Sequence, residues 1–188
     1  MATVVKPRLI LLSGYGRAGK DSVRKILEVH HGFSGGAFAD CVRELALELD
    51  PLLEAMGGFM RYRIMLEHFG YETAKSMFPS VREFLVKLGH GARKVLGEDV
   101  WRRPMLAASS KARAAGIHFC ISDARYADEA NIEGAKVWYI ERPGVGPANE
   151  TEAATVPKLR RDLVIMNDGT LHDLEKRVLE SLTMKQTK

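Results

Sequence analysis

The stretch that decides the architecture is Arg8-Leu9-Ile10-Leu11-Leu12-Ser13-Gly14-Tyr15-Gly16-Arg17-Ala18-Gly19-Lys20-Asp21-Ser22. Arg8 to Ser13 is a short apolar run that stops at glycine, so it reads as a buried strand. From Ser22 to His30 the apolar residues fall at 23, 26, 27 and 29, the spacing of a helix. Between them, Gly14-x4-Gly19-Lys20 fits the first seven positions of the phosphate-binding loop. Glycines there let backbone N–H groups turn inward around phosphate oxygens, and the helix N-terminus adds partial positive charge. Gly14, Tyr15, Gly16, Arg17, Ala18, Gly19, Lys20, Asp21 and Ser22 are therefore the candidate nucleoside triphosphate site, with Lys20 reaching the β- and γ-phosphates. One position departs from the pattern. Asp21 stands where Ser or Thr usually holds magnesium, and Ser22 follows it, so both are candidate metal ligands.

Working outward, further short strands are expected at Phe33 to Phe38, Ile117 to Ser122, Lys136 to Ile140 and Leu163 to Met166. Helical stretches separate them. Asp40 could cap a helix running to about Glu54, and Gly57-Gly58 would break it. Residues 59–80 read as helical pieces ended by Pro79. Ser80 with Glu83 resembles a capping box for a helix from Val81 to Leu96. Another helix is expected over Trp101 to Ala115, and a last one over Leu171 to Leu182. Arg142 to Pro157 carries three prolines and reads as a mobile surface loop. Strands alternating with helices imply a parallel sheet covered on both faces, with ligands at the carboxyl ends of its strands. The residues just past those ends are Gly14 to Ser22, Asp40 to Arg43, Asp123 to Glu129, Arg142 onward, and Asn167-Asp168.

Composition narrows the rest. The 188 residues suit one domain with one core, and 46% hydrophobic with 28% charged is an ordinary globular balance. The N-terminus lacks a signal-peptide pattern and no apolar run approaches a membrane span, so a cytoplasmic protein without a membrane partner is expected. Cys41 and Cys120 are too few for a disulfide framework, and the six histidines lack zinc spacing. The net charge of +4 comes from scattered basic residues with no run, which speaks against nucleic acid and suits a small polyanion.

Gly14-Tyr-Gly-Arg-Ala-Gly-Lys-Asp-Ser22 resembles the loop of bacteriophage-type deoxynucleoside monophosphate kinases. Further segments are similar in order along the chain: Phe38-Ala-Asp-Cys-Val-Arg43, Arg82-Glu-Phe-Leu-Val-Lys-Leu-Gly-His90 with Trp101 beyond it, Ser122-Asp-Ala-Arg-Tyr-Ala-Asp-Glu129, Ile140-Glu-Arg-Pro143, and Asp162 to Gly169. The resemblance implies a three-layer α/β P-loop kinase fold with a five-stranded parallel sheet. It also implies a helical acceptor-binding region over about 50–115 and a lid over about 142–160. The implied reaction is ATP-dependent, magnesium-dependent phosphorylation of deoxynucleoside monophosphates, in the host cytoplasm if the chain is phage-encoded. A homodimer is compatible with this reading.

By the same resemblance Arg43 and Arg125 would hold the monophosphate. Arg82, Phe84, Val86, Gly89, His90, Trp101, Asp123 and Glu129 would complete the acceptor site. Val86 and His90 stand where the family usually has glutamine and threonine, so base selection is expected to differ. Lys20, Arg17, Arg125, Asp123 and Arg142 would carry the transfer, with Arg160 or Arg161 assisting from the lid, and Asn167 would approach the adenine. Phosphoryl transfer asks for alignment and charge compensation, and the planar arginine fork suits phosphate. The rival readings are a small P-loop kinase for dephospho-coenzyme A or a nucleoside, and a non-kinase P-loop ATPase or switch.

Overall fold

A computed structural model describes residues 7–183. The elements are β1 (Leu9–Ser13), α1 (Lys20–His31), β2 (Phe33–Gly36), α2 (Phe38–Leu49), β3 (Leu52–Ala55), β4 (Gly58–Arg61), α3 (Tyr62–Phe69), α4 (Tyr71–Met77) and α5 (Pro79–Leu96). They continue with α6 (Arg102–Ala114), β5 (His118–Ile121), α7 (Ala127–Ala130), β6 (Ala135–Glu141), α8 (Glu150–Thr155), β7 (Leu163–Met166) and α9 (Leu171–Thr183). The chain forms two compact units, one from the segments up to Phe38 and from Met105 onward, the other from Ala39 to Pro104.

The first unit holds a five-stranded sheet in the order β2-β5-β1-β6-β7, every pair parallel. Parallel strands need crossovers, and the crossovers cover both faces. On one face Ile10, Leu12, Cys120, Trp138, Ile140 and Ile165 pack with Val23, Ile26 and Leu27 of α1 and Leu174 and Val178 of α9. On the other, Leu9, Leu11, Ile121 and Val137 are also buried. This is the three-layer α/β arrangement, and β1 stands at its centre because both its faces are apolar. The five expected strands all form, with no end shifted by more than two residues.

The second unit departs from the sequence reading. The helix expected to run to Glu54 ends at Leu49, where Asp50 takes a left-handed φ of 39° and Pro51 follows. Leu52 to Ala55 is instead a strand, paired antiparallel with Gly58–Arg61. Its alternation is visible afterwards: Leu52 and Glu54 are exposed while Leu53 and Ala55 are buried. The two residues between the strands, Met56 and Gly57, both have positive φ (53° and 78°), the twist that two-residue hairpins favour. Asp40 lies inside α2, not before it. The expected capping box also does not form. Pro79 takes the first helical position of α5, where its missing N–H is harmless, and Ser80 Oγ donates to Glu54 O at 2.7 Å.

The segment Arg142 to Pro157, expected as a mobile surface loop, contains α8, capped by Asn149, and leads into a short 3₁₀ turn at Val156–Lys158. No helix among the described residues is long and apolar enough to cross a membrane.

Candidate functional site

The phosphate loop joins β1 to α1 and curls through three left-handed positions: Gly14 (φ 136°), Arg17 (65°) and Gly19 (104°). Two glycines are required by close approach as well as by φ. A Cβ on Gly14 would run into the Ile140 carbonyl oxygen, and one on Gly19 into the Asn167 amide. Arg17 adopts its strained conformation at the exposed crest of the loop.

Lys20 is buried to 9% exposure, and its Nζ donates to Gly14 O at 2.8 Å and Tyr15 O at 2.7 Å. Burial lowers its pKa, and the nearby Arg125 charge lowers it further. Glu152, Asp21 and Asp123 oppose this by favouring the cation. So the ammonium sits in a small field of acids with its own loop carbonyls as acceptors.

Asp123 follows β5. Its segment is pinned on both sides, because Ser122 N–H donates to Gly36 O and Ala124 N–H to Leu12 O. Asp123 Oδ1 accepts the Phe38 N–H at 2.6 Å, at the first residue of α2. This carboxylate thus answers one of the open N–H groups of α2, a task the sequence did not indicate. Glu129 is buried, and its Oε2 accepts the N–H groups of Arg125 (2.8 Å) and Tyr126 (3.1 Å). Burial raises its pKa to about 7, against the lowering by those two donors. Glu129 therefore fixes the backbone that carries Arg125.

Asn167, at the end of β7, donates from Nδ2 to Ala18 O at 2.8 Å, and its N–H donates to Glu141 O. Its side chain is engaged with the phosphate loop. Arg142 is exposed just beyond β6. Arg160 pairs with Asp162 (3.1 Å) and donates to Ala135 O, while the Arg161 guanidinium lies 3.7 Å from the centre of the Tyr139 ring.

One residue of this cluster was missed in the sequence. Glu152 on α8 is 3% exposed, and its Oε2 accepts the N–H of Gly16 (3.1 Å) and of Ala148 (3.0 Å). Burial would raise its pKa, but those donors and the charges of Arg125 and Lys20 lower it on balance. The signal was Asn149-x-x-Glu152, a capping-box spacing: Asn149 Oδ1 does accept the Glu152 N–H at 2.9 Å.

The second unit holds the other candidates. Arg43 pairs with Asp40, one turn before it, and lies 4.9 Å from the centre of the Tyr71 ring. On α5, Arg82, Val86 and His90 recur at four-residue spacing and are all exposed, so they form one stripe. Phe84 points the other way, packed against the cluster around Tyr62 with ring centroids 6.1 Å apart. Trp101 is buried, and its indole N–H donates to Gly89 O at 3.0 Å. The structure thus separates the acceptor candidates of this unit into an outward stripe and two inward aromatics.

The fold and the loop define a three-layer α/β protein of the P-loop kinase fold. Solved structures with this architecture include dephospho-CoA kinase from Campylobacter jejuni, with a TM-score of 0.50 and 16% identity over 95% of this chain and 97% of that one. Another is the protein TT1252 from Thermus thermophilus, at 0.52 and 16%, over 98% and 100%. At such identity the likeness is one of fold. No protein-family model and no curated sequence matches the chain.

Proposed function

We propose that the chain is an ATP-dependent kinase whose acceptor is a deoxynucleoside monophosphate. The observation that carries this reading is the convergence of Lys20, Asp123 and Arg125 beside a loop whose backbone curls at Gly14, Arg17 and Gly19. A cation surrounded by acids, next to an arginine on a pinned backbone, suits transfer between two anions. Lys20 would follow the charge developing on the transferred group, and Arg125 would hold the acceptor phosphate. Arg142, exposed at the start of the lid segment, would close onto the triphosphate, as would Arg17 from the loop. In the second unit, Arg43 would contact a monophosphate, and Arg82, Val86 and His90 an acceptor base. The lid would exclude water from the transfer.

Magnesium fits the donor set. Asp21 is an exposed carboxylate and Ser22 a half-buried hydroxyl in the first turn of α1, both hard oxygen donors. They would hold the ion, which neutralises phosphate charge when bound. Glu129 is proposed here as a positioning residue for Arg125, because its carboxylate holds that residue's N–H.

The test is an ADP-release assay across deoxy- and ribonucleoside monophosphates, with dephospho-coenzyme A as a further acceptor, since a solved structure of this fold is described as that enzyme's. Turnover with deoxynucleotides supports the proposal, and none with any of them ends it. Lys20→Ala should lower kcat by about a hundredfold or more, the scale of one lost transition-state contact. Arg125→Ala should raise the monophosphate KM by about tenfold or more and leave that of ATP within about threefold. Unchanged monophosphate kinetics would refute its assignment.

A further inference from the structure

The contact between Glu152 and the phosphate loop is unexplained by the capping of α8. An acid three residues after an N-cap ordinarily reaches back to the cap's own N–H. Glu152 goes past Asn149 to the Ala148 N–H, and the same oxygen takes the N–H of Gly16, 136 residues away. The approach is close: a Cβ on Gly16 would stand 3.5 Å from Ala148 Cβ and 3.6 Å from Glu152 Oε1. The carboxylate is 3% exposed, and its field includes Lys20 and Arg125. An oxyanion held by a phosphate-loop N–H, in the field of a lysine, has the surroundings that a phosphoryl oxygen would take.

We propose that Glu152 is a built-in occupant of a phosphoryl seat, formed by the Gly16 N–H beside Lys20, and that a nucleotide phosphate must displace it to bind. The inference rests on the reading of Gly14 to Lys20 as a phosphate loop. Two like charges cannot share the seat, so entry of the phosphate breaks the Gly16–Glu152 contact and frees α8. Nucleotide binding and release of the α8 segment are then one event. The resting chain keeps the Gly16 N–H occupied by its own acid, with Lys20 under that opposing charge, and its apparent affinity is reduced by that competition.

The test uses the full chain, with ATP and ADP as probes in calorimetric titrations. Glu152→Gln keeps an oxygen for the two N–H groups but removes the charge. It should bind ATP about tenfold more tightly than the wild type. Glu150→Gln, on the same short helix, removes an equal charge without the contact and should change binding less than about twofold. A gain limited to ATP assigns the seat to the terminal phosphate, and a gain with both nucleotides assigns it to the inner one; either supports the proposal. Unchanged or weaker ATP binding by Glu152→Gln, beside a wild type that binds, overturns it. A wild type that binds neither nucleotide overturns the phosphate-loop reading as well. Should Glu152→Gln fail to fold, amide exchange in the wild type decides. Saturating ATP should speed exchange at Ala148, which loses its acceptor, while Gly16 stays protected. No change at Ala148 overturns the proposal.

Discussion

Glu129 gives a sharp prediction, because its carboxyl combines burial with a fixed hydrogen-bonding role. It is 4% exposed and accepts two backbone N–H groups, and its pKa is raised from 4.5 to about 7. The main cause is desolvation, with the Asp123 and Asp128 charges adding to it. A folded-state value above the unfolded one means that the native state binds the proton more tightly. The stability this group contributes is full below pH 4.5 and is lost as pH rises through about 7. At about 1.4 kcal/mol per pH unit, that interval corresponds to roughly 3 kcal/mol. Glu129→Gln removes the titration while its amide oxygen still accepts from Arg125 and Tyr126. Urea unfolding of both proteins should be followed by tryptophan fluorescence at several pH values from 4.5 to 8. Trp138 lies on β6, in the same unit as Glu129, and reports that unit. The stability of the variant relative to the wild type should rise by about 3 kcal/mol across this range, and other titrating groups cancel in the difference. A difference that stays constant with pH would refute the argument, because it would mean that burial does not hold the proton.

Two further substitutions test local claims. Gly19→Ala puts a side chain where φ is 104° and the Asn167 amide already sits, so it should cost about 1–3 kcal/mol in a thermal or urea melt and weaken ATP binding. Wild-type stability and affinity would show that the loop relaxes freely. Trp101→Phe loses the indole donor to Gly89 O and some packing, and should lower stability by about 1–3 kcal/mol with monophosphate KM within about threefold. A large KM rise at unchanged stability would instead support a role for Trp101 in the acceptor site.

How much of this was legible in the sequence follows from the range of the interactions. The strand, glycine loop and helix at Leu9 to His31 are set by neighbours in the chain, and β1 and α1 form where periodicity put them. The β3–β4 hairpin was missed because Leu52 and Leu53 continue the apolar spacing of α2. What ends that helix is the left-handed Asp50 before Pro51, and what rewards the strand is burial of Leu53 and Ala55 beneath Tyr62 and Met65. Ser80 and Glu83 had the right spacing for a cap, but Pro79 claims the first helical position and Ser80 spends its hydroxyl on Glu54 O. In each case the local pattern was real and a competing residue one position away outweighed it.

The site divides along the same line. The motif residues Lys20, Asp123 and Arg125 could be picked out because each follows a strand. Their supports could not, since Asn167 meets Ala18 across 149 positions and Glu152 meets Gly16 across 136. A buried ammonium needs counter-charge, and the chain offers Lys20 three acids from three different segments: Asp21, Asp123 and Glu152. The first two lie inside the motifs. The third sits on a six-residue helix within a proline-rich stretch, where a glutamate ordinarily reads as a solvated first-turn acid. Only the fold brings it to the loop. There, in the proposed seat on the Gly16 N–H, its charge would oppose an incoming phosphate. On the proposed reading the affinity of the loop for phosphate is tuned by a residue outside the loop's own sequence, and variation around Ala148 to Glu152 should change nucleotide binding while the Gly14 to Ser22 motif stays the same.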